Sequence, residues 1–186
     1  MLSRIQLMKI HALLAAFIFP VACLFLVTGA LYTWGIKGNY ETDNYAIDLS
    51  QPIEPELETL LELANTELGK RNLSLPSGKP KIKSAGNHFY LDWSGAKKDI
   101  ILEPTDNPLV AQLTVKQASW YRNLVQLHKA KGGVLFKIYA ATFAIALALL
   151  LISGFIMAWQ TPKLQRLTLI TSLLGLGSFV AMVLLS

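Results

Sequence analysis

Residues 10–36, IHALLAAFIFPVACLFLVTGALYTWGI, contain no charged side chain. At 1.5 Å of rise per helical residue, about 20 such residues cross about 30 Å of hydrocarbon, so this run reads as a membrane span. Two further uncharged runs, Ile138 to Pro162 and Leu167 to Ser186, meet the same length criterion. All twelve acidic residues fall between Glu41 and Asp106, in the segment separating the first span from the second. A 53% hydrophobic, 16% charged composition and a mean hydropathy of +0.42 agree with an integral membrane protein and exclude an ordinary soluble domain.

The fold class expected from this pattern is an α-helical membrane protein with three transmembrane helices and one small α+β domain. The expected segments are an amino-terminal piece 1–9, span 10–36, domain 37–132, span 133–160, link 161–166 and span 167–186. The net charge of +5 sits beside the spans, because residues 36–125 hold ten Lys or Arg against the twelve acids. That placement suits lipid headgroups and not nucleic acid.

Cys23, the only cysteine, lies inside the first apolar run and permits no intrachain disulfide. Pro20-Val21-Ala22-Cys23 fails as a lipobox because position −3 is proline, and the apolar run is about twice the length of a signal-peptide core, so a retained first helix is expected. Arg4 and Lys9 precede the first span, and Lys163 and Arg166 link the last two, with no acid in either piece. These positive flanks place both pieces in the cytoplasm and the 37–132 domain in the periplasm of a bacterial inner membrane.

Within the domain, Leu57, Leu60, Leu61, Ala64 and Leu68 share one helical face, which predicts a helix over Glu56 to Lys70. Glu54, Glu56 and Glu58 cluster at its amino terminus, where the helix dipole explains them without catalysis. Strands are expected at Lys81–Ser84, His88–Trp93 and Asp99–Leu102, with a fourth at Leu109–Val115 and a hairpin turn at residues 94–97. A second helical pattern is expected from Val115 to Lys131, ahead of the Gly132-Gly133 break. Trp34, Trp120 and Tyr32 read as an interfacial aromatic belt. His88, on a strand without a metal-spaced partner, reads as a surface residue.

The spans carry an internal echo. Leu26-Val27-Thr28-Gly29 resembles Leu151-Ile152-Ser153-Gly154, and each is preceded by a histidine, His11 and His128. Consecutive spans run in opposite directions, so the shared pattern is inverted across the membrane. Small-residue stripes at Ala140, Ala144 and Ala148 and at Thr168, Thr171, Gly175 and Ser178 suit close helix packing. No Asp, Glu, Lys or Arg lies mid-span, which argues against a proton relay or ion channel.

Ile10-His11 leading to Thr28-Gly29, and Leu127-His128-Lys129-Ala130-Lys131-Gly132-Gly133 leading to Ser153-Gly154, together resemble the PepSY-associated transmembrane family. Ile100-Ile101-Leu102-Glu103-Pro104 resembles that family's last strands and its apolar-acidic-proline turn. The resemblance implies a PepSY-like domain and, by its larger members that reduce siderophore-borne iron, makes His11 and His128 candidate ligands of haem b. This chain departs from those reductases in having three spans and Ala15 at a position often glycine, and it lacks a flavin or nicotinamide motif. Histidines at the starts of oppositely directed spans sit about 30 Å apart and do not share one haem within a protomer. A homo-oligomer or a membrane protein partner would then supply the second ligand. No phosphate loop, HExxH or nucleophile elbow is present, and no catalytic residue is expected. The function expected is that of a non-enzymatic accessory or interaction subunit. The alternatives are a haem-binding electron-transfer component and a regulator of an extracytoplasmic protease.

Overall fold

The computed structural model describes residues 3–85 and 88–186; Met1 and Leu2 of the amino-terminal piece lie outside the described residues. In chain order the elements are α1 (Arg4–Thr33), β1 (Tyr40–Asp48), α2 (Leu57–Lys70), β2 (Lys81–Ala85), β3 (His88–Ser94), β4 (Lys98–Pro104), β5 (Val110–Ala118), α3 (Trp120–His128), α4 (Gly133–Trp159) and α5 (Pro162–Leu185). Among the described residues α1, α4 and α5 are long and apolar enough to cross a membrane. The chain is thus a three-span helical membrane protein with an α+β domain between its first two spans. It divides into two compact units, residues 1–23 with 141–186 and residues 24–140.

The 24–140 unit is built on an antiparallel sheet in the order β1-β5-β4-β3-β2. Register aligns side chains of one face into rows across the strands. Ile82, Leu91, Leu102, Leu113 and Tyr45 form one row, from β2 through β3, β4 and β5 to β1. Trp93, Ile100 and Val115 form the next. Leu60, Ala64 and Leu68 of α2 join the same core, and these three, Leu91, Ile100, Leu102, Leu113 and Val115 are all 0% exposed.

Two departures from expectation have one cause. Tyr40–Asp48 forms a fifth strand, although only Tyr45 and Ile47 of its side chains lean into the core. Its hydrophobic alternation is too weak to announce a strand; backbone pairing to β5 along nine registered positions makes it one. That pairing runs to Tyr40 opposite Ala118, so residues 115–118 are strand and not the start of a helix. Helix α3 begins only after Ser119, whose hydroxyl accepts from the Arg122 N–H at 3.3 Å. The other expected strands and the α2 helix lie within a residue or two of their predicted places, and residues 95–97 form the β3–β4 turn, Ser94 being the last residue of β3.

Helices α1, α2 and α3 all end in the same left-handed cap. Gly35 (φ 80°), Asn72 (φ 53°) and Ala130 (φ 57°) hold the reversing position. The residue after each sends its N–H back to the third-last helical carbonyl: Ile36 to Leu31, Leu73 to Leu68 and Lys131 to Gln126. Beyond α2, Arg71 lies 4.5 Å over the Tyr45 ring and with Lys70 pairs with Glu67. Hydrogen bonds from Lys70 and Arg71 hold the Glu67 carboxyl below the usual glutamate range, against the opposing effect of its burial.

In the unit formed by 1–23 and 141–186, α4 gives way to α5 at Gln160-Thr161. Pro162 starts the new helix, where its missing N–H costs nothing. Arg4 donates to the Thr161 hydroxyl at 3.1 Å, which brings the basic amino-terminal piece to the start of α5, whose first turns carry Lys163 and Arg166.

Candidate functional site

His128 is the last residue of α3, five positions before α4 starts, so it precedes the span and does not open it. Its Nδ1 lies 3.2 Å from the hydroxyl of Thr28, a side chain only 3% exposed. The Thr28 hydroxyl is also within donating distance of the Leu24 carbonyl, at 2.8 Å. The hydroxyl and Nδ1 are within hydrogen-bond distance, and the imidazole tautomer sets which of them donates. Gly29 completes the seat, since a Cβ there would lie 3.2 Å from His128 Cε1. Phe25 closes the other side, edge-on with ring centroids 5.1 Å apart. A groove of about 410 Å³ runs beside this cluster, lined by Thr28, Gly29, Tyr32, Thr33, Val125, His128 and Lys129. Lys37 and Lys129 both approach the Tyr32 ring, at 5.4 and 5.6 Å from its centroid.

His11 sits in the second turn of α1, within the other unit, and makes the corresponding contacts. Its Nδ1 is 2.9 Å from the Ser153 hydroxyl, which donates onward to the Leu150 carbonyl at 3.0 Å. A Cβ on Gly154 would lie 3.3 Å from His11 Cε1. The repeated Thr-Gly and Ser-Gly pairs are therefore receptors for the histidines, each receiving the histidine that belongs to the other half of the echo. The sequence contained the signal for this cross-pairing. In antiparallel spans, a histidine early in one run and a hydroxyl-glycine pair late in the next lie toward the same membrane face.

In the tautomer that donates from Nδ1, a neutral ring keeps its lone pair on Nε2. No hydrogen bond reaches Nε2 of either ring among the described residues. That tautomer is the one a histidine uses when it binds a metal through Nε2, so the donor chemistry is compatible with a metal ligand. Neither unit gathers two membrane-level histidines, and His88 is exposed at the start of β3. Among the described residues no group of three His, Cys, Asp or Glu is placed to hold a metal ion.

A polar network joins the domain to the ends of its membrane helices. The Tyr40 hydroxyl donates to Asp99 at 2.8 Å and accepts from the Gln126 amide, while Asp99 also takes the Gly95 N–H at 3.0 Å. Burial pushes the Tyr40 phenol above its ordinary value; Arg122, 4.7 Å over the ring, opposes this and Asp99 reinforces it. Tyr121 and Arg122 donate to the carbonyls of Ile36 and Lys37, and the Ser119 N–H to that of Asn39. On the α4 side, Ser77 donates to the Lys131 carbonyl at 2.9 Å. Sequence reasoning missed this network because its members are ordinary polar residues scattered over β1, β4, α3 and the segments between elements.

The sequence model for the PepSY-associated TM region matches residues 2–161. The chain belongs to this family. The match takes in everything from α1 to the end of α4, so both histidine clusters and the whole sheet lie within the PepSY-associated TM region, and α5 follows it. No curated protein and no solved structure matches the chain.

Proposed function

We propose that this PepSY-associated membrane protein is a non-enzymatic accessory subunit that holds its five-stranded domain at a fixed height over the bilayer for a partner. The observation that carries this reading is the pair of histidine seats. In each, an imidazole is tied through Nδ1 to a hydroxyl and packed against a glycine, which uses the ring as a helix-joining element. The bonds from α3 to residues 36–39, and from Ser77 to Lys131, support it by tying the domain to both of its membrane connections. The positive flanks support a periplasmic domain and cytoplasmic 1–9 and 161–166 segments, and the Arg4 to Thr161 bond supports these two lying together.

A second reading, a haem-binding electron-transfer component, draws on Nε2 of both rings, which no hydrogen bond reaches among the described residues and which carries a lone pair in the tautomer that donates from Nδ1. His11 and His128 would each hold a haem together with a residue of another protomer or of a partner, and bound haem would supply one-electron chemistry. The protein's visible spectrum separates the two, recorded after purification in mild detergent from cells supplied with haem. The expected result is no Soret band, together with a membrane partner retained in fixed ratio. A Soret band lost in His11→Ala and His128→Ala would replace the accessory reading with the haem reading.

A further inference from the structure

A cleft of about 390 Å³ lies between the β2 edge of the sheet and the start of α4. Five lysines line it, Lys79, Lys81, Lys83, Lys131 and Lys137, against the single carboxylate of Asp92. Asp92 is engaged by Lys83, and Lys131 reaches Asp99 only at 3.8 Å. Lys79, Lys81 and Lys137 have no ion-pair partner among the described residues. Like charges gathered without counter-charge repel one another, and a concave arrangement of them concentrates positive potential toward its centre. The first-turn N–H groups of α4, which begins at Gly133 on the cleft wall, have no intrahelical acceptor and add to that potential.

The height of the cleft decides what fills it. Val134 and Lys137 belong to the first turns of a membrane-crossing helix, and Leu135 between them is 84% exposed. Trp34 and Trp120, 85% and 77% exposed, lie on the segments that flank the domain, and exposed tryptophans next to spans suit a water–lipid boundary. A cationic cleft whose floor is the first turn of a span lies among lipid headgroups. We infer that this cleft binds the phosphate headgroup of an anionic phospholipid from the leaflet that the domain faces, with Lys79, Lys81 and Lys137 as the principal contacts. Lys137 reaches the phosphate from the helix, and Lys79 and Lys81 cover it from the domain. The bound lipid clamps the sheet edge to the membrane surface on the side opposite the α3 contacts with residues 36–39.

The test uses the full chain in mild detergent, with lipid retention read by native mass spectrometry after incubation with phosphatidylglycerol or phosphatidylcholine. The expected result is selective retention of phosphatidylglycerol, reduced at least about tenfold in Lys79→Gln/Lys81→Gln/Lys137→Gln, since each lysine near an anionic surface contributes about fivefold. The double variant Lys37→Gln/Lys129→Gln, which removes two basic residues beside Tyr32 and outside the cleft, is expected to retain the lipid as the unaltered protein does. Equal loss in both variants would reduce the effect to general surface charge and overturn the site. Displacement of the lipid by millimolar inorganic phosphate would reassign the cleft to a soluble anion. Unchanged retention in the triple variant, with its circular dichroism spectrum intact, would overturn the inference outright.

Discussion

Leu102→Ala is expected to unfold the domain at temperatures where the unaltered protein is intact. Leu102 stands at the centre of the sheet's inner row, registered against Leu91 on one side and Leu113 on the other, and all three are 0% exposed. Truncation removes buried carbon and leaves a cavity that the flanking strands cannot close, because β4 is held by backbone pairing on both edges. Such substitutions cost about 2–5 kcal/mol, a large part of the roughly 5–15 kcal/mol that stabilises a typical domain. For a sheet unit of this size, the thermal midpoint is expected to fall by at least about 10 °C, read by circular dichroism or by limited proteolysis of the 40–118 segment. A shift under about 2 °C would mean that the row is not the core.

Gly78→Ala is expected to do comparable damage by crowding. An ideal Cβ on Gly78 would lie 2.0 Å from the backbone carbonyl oxygen of Ser94. That neighbour is main chain at the end of β3, so it cannot rotate away as a side chain would. Gly78 also accepts the Trp93 indole N–H at 2.9 Å, and any retreat of the 76–79 segment lengthens that bond. Overpacking against a fixed backbone costs about 1–3 kcal/mol or more. Gly69→Ala supplies the contrast, because Gly69 is helical and nothing lies within 4 Å of its added Cβ. Relieving helical glycine of its backbone entropy is expected to raise stability by about 0.5–1 kcal/mol. The two alanine substitutions should therefore move the thermal midpoint in opposite directions.

What the sequence revealed and what it hid divide along physical lines. The spans were legible because crossing hydrocarbon demands length and apolarity over contiguous residues, and both are local properties. Helix α2 and strands β3 and β4 were legible for a similar reason, since Leu60, Ala64 and Leu68, or Leu91 and Trp93, declare one face at the helical or strand period. Strand β1 was not, because Glu41, Thr42, Asp43 and Asn44 are all exposed and its place is fixed by pairing to a segment some 70 residues away. The extent of β5 was misjudged for the same reason.

The candidate site shows the same division. His11, His128 and the two hydroxyl-glycine pairs were visible as residues and as an echo whose inversion puts each histidine toward the other half's pair, but the contacts themselves were not. Pairing His11 with Ser153 and His128 with Thr28 requires antiparallel helices in contact, a tertiary fact. A break was expected at Gly132-Gly133, but its earlier place, which leaves His128 at the end of α3, rests on Ala130 taking a left-handed conformation that alanine rarely adopts.

The cross-pairing of each histidine with the other half's hydroxyl is tested most directly by double-mutant cycles on thermal stability in detergent. Coupling of about 0.5–2 kcal/mol is expected between His11→Ala and Ser153→Ala, and again between His128→Ala and Thr28→Ala. His11→Ala with Thr28→Ala, 17 residues and about 25 Å apart along α1, is expected to be additive. Additivity within both cross-pairs would show that the histidines do not join the helices, and would remove the main support for an accessory subunit built on a latched helix pair.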